Sequence, residues 1–153
     1  MKIADVLKKE YIIPDLTSIS KKEVLKELSD TISSKILDVN ANKLYEILLK
    51  RENLCSTALD SGIAIPHGKL PGIKKIIAGF GRSKSGIDYE SLDGKKSTLF
   101  VLLVAPENVT NEYINLLARF SKILKKEEVR KNLMNAKSGD EIYNLIIKED
   151  EKI

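Results

Sequence analysis

One histidine and one cysteine are the chain's only side chains with the usual nucleophilic reach at neutral pH, and both fall in one segment. It reads Arg51-Glu52-Asn53-Leu54-Cys55-Ser56-Thr57-Ala58-Leu59-Asp60-Ser61-Gly62-Ile63-Ala64-Ile65-Pro66-His67-Gly68-Lys69. Ile63 to Ile65 make a short apolar strand, and Pro66 fixes φ and cannot extend a ladder. The chain is therefore expected to turn at Pro66, with His67 at the turn. Gly68 behind it permits φ > 0 and leaves room for another molecule to approach the imidazole. A histidine on a rigid strand end, open on one side, suits a nucleophile that must meet a large partner. Local physics alone favours the plainer reading, a surface or hydrogen-bonded histidine at a turn. Cys55 has only its presence to recommend it as a nucleophile, and a free cysteine is most often a small core residue.

Other chemistries find no support. Asp93-Gly94-Lys95-Lys96 lacks the earlier glycine of a phosphate loop, that place being taken by Tyr89. Gly79-Phe80-Gly81 does not continue as a dinucleotide fingerprint, and no Gly-x-Ser-x-Gly elbow occurs. One cysteine and one histidine exclude an internal disulfide and a Cys/His zinc site, so neither metal nor cofactor is expected. The formal charge of +4 is spread over scattered lysine pairs such as Lys8-Lys9 and Lys95-Lys96, with 5% aromatics and no Trp. Nucleic-acid binding would want clustered cations and stacking rings. The longest apolar run, Leu99 to Ala105, is far below the roughly 20 residues of a membrane span. Lys8, Lys9 and Glu10 stand where a secretory signal would be apolar, which makes a cytoplasmic location the expectation.

The elements that must position the segment follow from periodicity. Tyr11-Ile12-Ile13 is a short strand stopped by Pro14. Ser20 and Glu23 form a capping box before Val24, Leu25, Leu28, Ile32 and Ile36 at helical spacing. Asn40 caps a second helix that buries Leu44, Ile47 and Leu48 and ends at Arg51. After the turn at Asp60-Ser61-Gly62 come strands at Ile63–Ile65, Ile76–Phe80 and Thr98–Val104, the last apolar on both faces. Beyond Pro106, Tyr113, Leu116, Leu117, Phe120, Ile123 and Leu124 make an apolar helical stripe. Two shorter helices follow, around Val129 and Leu133 and from the capping box Ser138–Glu141. This grouping predicts an α+β fold, a mixed sheet of about four to five strands with helices on both faces. The 153 residues are one domain's length, expected to span 1–153 with a frayed tail at 149–153.

Gly62-Ile63-Ala64-Ile65-Pro66-His67-Gly68, preceded by Arg51-Glu52 and Ser56-Thr57, resembles the phosphorylation site of the fructose/mannitol class of enzyme IIA. These are domains of the bacterial phosphoenolpyruvate-dependent sugar phosphotransferase system. The likeness extends through Leu99–Pro106, the helix from Asn111 and Ser138-Gly139-Asp140-Glu141-Ile142. It implies a three-layer α/β/α sandwich, in agreement with the element order. It also implies a phosphoryl relay in which the carrier HPr phosphorylates His67, which passes the group to an enzyme IIB in sugar uptake. The alternative is a nitrogen-regulatory IIA whose phosphorylation state controls partner proteins; Lys69 after His67-Gly68 resembles that subgroup.

The resemblance makes Nε2 of His67 the reacting nitrogen, so Nδ1 must donate to an acceptor, a backbone carbonyl being the natural one. A neutral imidazole, reference pKa near 6.5, attacks without a separate base. Arg51 alone of four arginines matches the arginine preceding the family motif. Its guanidinium would hold phosphoryl oxygens bidentately, the alternative being a solvated helix-end arginine. Thr57 is a possible hydroxyl donor or a structural residue. Many relatives carry a second histidine early in the helix after the long strand. Here that place is Tyr113, whose ring continues the apolar stripe and whose hydroxyl is expected to turn toward His67.

Overall fold

The computed structural model describes all residues from Met1 to Ile153. Strands β1 (Leu7–Ile13), β2 (Ile63–Ala64), β3 (His67–Lys69), β4 (Ile77–Ile87) and β5 (Ser97–Ala105) form one mixed sheet. Helices α1 (Lys21–Lys35) and α2 (Ala41–Leu54) follow β1, and α3 (Asn111–Leu124), α4 (Glu127–Asn135) and α5 (Gly139–Glu151) follow β5. The order across the sheet is β1-β4-β5-β2, with β3 also on β5. Helices cover both faces, so β5 is buried along nearly its whole length, as its uninterrupted apolar sequence requires.

β5 pairs antiparallel with β4 and parallel with β2 and β3. Ile63 lies opposite Leu99 and His67 opposite Leu103, so β2 and β3 run along the same edge of β5 in one register. The expected turn at Pro66 is therefore absent. Pro66 has no N–H to give, but its carbonyl still accepts from Leu103 N–H at 3.1 Å, and pairing resumes at once. Proline is tolerated here because this is an edge strand.

The expected helices are present with their caps: the Ser20 hydroxyl accepts from Glu23 N–H, the Asn40 side chain from Lys43 N–H and the Ser138 hydroxyl from Glu141 N–H. Two strands outrun their apolar signal. β1 begins at Leu7 and β4 continues to Ile87, carrying Arg82 into the interior. Arg82 Nε donates to the Pro14 carbonyl, and Nη1 to the carbonyls of Leu133 and Ala136, which closes the end of α4.

The expected frayed tail is also corrected. α5 runs to Glu151 and Asp150 is buried, accepting from Ile3 N–H at 2.8 Å and from Arg119 Nε at 2.8 Å. A charged run that reads as solvated instead ties the two ends of the chain together.

Candidate active site

His67 stands at the start of β3, partly exposed. Its Nδ1–H donates to the Ile65 carbonyl at 2.5 Å. A carbonyl can only accept, so this bond puts the proton on Nδ1 and leaves Nε2 with its lone pair. The acceptor is the residue before Pro66, supplied by the histidine's own edge. Burial lowers the His67 pKa below its ordinary 6.5, with Arg51 pushing the same way, while the Ile65 bond and Glu52 push it up. The net direction keeps the ring neutral at pH 7.

Gly68 earns its place by space rather than by backbone angle, since its φ is not in the left-handed region. A Cβ there would come within 2.8 Å of Ile47 Cγ2 on α2. Glycine lets α2 lie directly over β3, which brings the last turn of α2 beside the imidazole. Left-handed backbone is confined in this segment to Ser61 and Gly62, φ 68° and 80°, at the predicted turn. The loop it closes folds back on β2, with Ile65 N–H bonded to the Thr57 carbonyl at 3.1 Å.

A cleft of about 440 Å³ opens beside the ring, lined by Ile47, Lys50, Arg51, Leu54, His67, Gly68, Lys69 and Tyr113. Three of these are cations and none is an acid, which is the charge balance an incoming anion needs. Arg51 reaches the cleft from the last turn of α2, and its Nη1 donates to the Cys55 carbonyl at 2.8 Å. The other arginines are committed elsewhere: Arg82 and Arg130 to helix-end carbonyls, Arg119 to Asp150. Lys69 Nζ donates to Thr110 Oγ1 at 2.8 Å, tying β3 to the start of α3. Cys55 is exposed rather than a core residue, and contributes its backbone.

Tyr113 is buried against the core edge, as the stripe requires, with its ring 6.0 Å from the His67 ring and tilted by 57°. Its hydroxyl makes no hydrogen bond to His67 or to any other protein group. Burial raises its pKa to about 12, so it remains a protonated donor at any cellular pH.

Thr57 turns away from the cleft. It is buried, and its hydroxyl donates to Glu52 rather than toward His67, while its N–H donates to Glu52 Oε1 at 3.0 Å. Glu52 is the residue that sequence reasoning passed over. It is buried and paired with Lys21 Nζ at 3.0 Å. The signal for it was the acid next to Arg51 at a helix end, five residues before Thr57.

Fold and site together define an α/β domain built around one histidine of fixed tautomer in a cationic cleft. The chain belongs to the family described as "Phosphoenolpyruvate-dependent sugar phosphotransferase system, EIIA 2", which matches residues 5–149. It is 38% identical over 146 residues to the nitrogen regulatory protein of Bradyrhizobium diazoefficiens, covering 95% of both chains. It is 39% identical over 151 residues to the fructose-specific EIIABC component of Bacillus subtilis, covering 98% of this chain but 24% of that one. Among solved structures, the nitrogen regulatory protein IIA-Ntr of Neisseria meningitidis superposes with a TM-score of 0.89 at 29% identity, over 94% of this chain and 98% of that one.

Proposed function

We propose that this protein is a phosphoryl-accepting IIA of the regulatory type, phosphorylated on His67 by HPr, with its phosphorylation state setting its affinity for partner proteins. The observation that carries the reading is the His67 imidazole itself: Nδ1–H held by the Ile65 carbonyl, Nε2 unprotonated, and only cations among the charged residues of the cleft. The Nε2 lone pair attacks phosphorus of the donor's phosphohistidine, a new P–N bond forms, and the donor's P–N bond breaks with its electron pair returning to the donor ring. No proton need leave His67 first, so no general base is required.

The transferring group spreads negative charge over its oxygens, and catalysis is then mainly positioning and electrostatic stabilisation. Arg51 supplies the planar cation, with Nη2 and Nε not bonded to the Cys55 carbonyl. Lys50 and Lys69 add charge at the rim. Tyr113 lines the same cleft and adds a hydroxyl donor.

Similarity over 95% of both chains to a nitrogen regulatory protein supports the regulatory role. A second reading, a carrier that hands the group to an enzyme IIB in sugar uptake, is supported by the 39% identity to a fructose-specific component. Both readings place the protein in the cytoplasm, where HPr works. The two are separated by preparing the phosphorylated protein and mixing it with a fructose-type IIB domain. Retention of the phosphoryl group over many minutes is the regulatory result; rapid appearance of phospho-IIB is the transport result.

A further inference from the structure

Glu52 lies outside the cleft, yet an unbroken series of hydrogen bonds joins it to the reacting ring. Its carboxylate accepts both the N–H and the hydroxyl of Thr57. The Thr57 carbonyl accepts Ile65 N–H at 3.1 Å, and the Ile65 carbonyl accepts His67 Nδ1–H at 2.5 Å. The same loop receives Arg51, whose Nη1 binds the Cys55 carbonyl. Lys21, from the first turn of α1, closes the far side of the carboxylate at 3.0 Å. We infer that Glu52 is a positioning residue for phosphoryl transfer, fixing through Thr57 and the Ile65 peptide the orientation and tautomer of His67.

A carboxylate is expensive to bury, and satisfying it with a lysine and two donors from one residue makes the arrangement rigid rather than especially stable. Two donors from Thr57 on the two oxygens of one carboxylate allow little rotation of that residue. Thr57 in turn sets the height of the Ile65 peptide along β2. The Ile65 carbonyl is the group that decides which ring nitrogen carries the proton. A slip of this loop would leave Nε2 protonated in part of the population and Arg51 displaced, both of which slow an in-line attack. The charged and titratable groups facing His67 are Lys50 and Arg51 from α2, Lys69 from β3 and Tyr113 from α3, with Glu52 behind the cleft yet near enough to act on the ring's charge. Of these Glu52 is the acid.

The inference rests on His67 being the phosphoryl acceptor, and the test separates the two. In the paired variant K21M/E52L an apolar pair replaces the ion pair, a change that often leaves stability intact, while the tether to Thr57 is lost. Because the chain has a single histidine, imidazole ¹⁵N NMR reads the tautomer of His67 without assignment. Wild type should show Nδ1 protonated and Nε2 bare; K21M/E52L should show a mixture, with transfer from phospho-HPr slowed about 10-fold or more. E52Q keeps an acceptor for Thr57 N–H and should restore most of the tautomer and the rate. Should the paired variant fail to fold, T57V removes one link and should shift the same two readouts in the same direction, less far. A folded variant with wild-type tautomer and rate overturns the role of Glu52. Failure of wild type to accept the group, with the tautomer shift still present, would instead strike the functional reading alone.

Discussion

The two flanks of His67 are built differently. On the α2 flank, Arg51 and Glu52 are both hydrogen-bonded to the loop that continues into the histidine's own strand. On the α3 flank, the ring meets only the tilted face of Tyr113, and the link to α3 runs through Lys69 and Thr110. The first flank is fixed by directional bonds, those of Glu52 buried, whereas the ring's own contact on the second is packing. A packed contact tolerates a change of side chain with similar shape, whereas a network loses its partners when one member goes. That contrast makes Tyr113 the more tolerant of the two neighbours of His67.

The contrast breaks most visibly at Arg51. Arg51→Ala should slow phosphoryl transfer roughly 100-fold, measured by rapid quench with phospho-HPr, with an unchanged melting temperature because a partly exposed arginine carries little stability. Equal rates would return Arg51 to a solvated helix end. Gly68→Ala presses on Ile47 and should cost about 1–3 kcal/mol of stability, read by urea unfolding. An unaltered midpoint would mean α2 is free to shift, contrary to the rigid flank described above.

The α3 flank should respond less. Tyr113→Phe keeps the ring and removes the donor, so about 0.5–1.5 kcal/mol of transition-state stabilisation should be lost if the hydroxyl meets a phosphoryl oxygen. Identical rates would make Tyr113 packing alone. The smallest effect is that of pH. With the folded pKa of His67 lowered by burial, the transfer rate should stay level from pH 8 down past 6.5 and fall only as the ring protonates. The unfolded chain binds its proton first, so the histidine's contribution to stability is complete above pH 6.5 and declines as pH falls toward the folded value. An NMR titration with a midpoint above 6.5 would reverse both statements.

Which parts were readable from sequence follows the same division between local and long-range causes. Caps, helical stripes and the doubly apolar β5 are local patterns, and each appears where its pattern lies. The meeting of His67 and Arg51 in one cleft was legible because one short motif carries both. The role of Glu52 depends on Thr57 folding back over β2, which periodicity does not encode. Burial of Arg82 and Asp150 leaves no periodic signal because their partners lie far along the chain: backbone carbonyls for Arg82, Ile3 N–H and the Arg119 guanidinium for Asp150. The turn at Pro66 misled because a proline stops a ladder only where its N–H is needed, and this edge does not need it.

The most direct test incubates the protein with phosphoenolpyruvate, enzyme I and HPr and weighs it intact. The expected result is the mass of one added phosphoryl group, labile in acid and stable in alkali, and no gain for His67→Ala. An unphosphorylated wild type, or a His67→Ala protein that still gains the group, would contradict it.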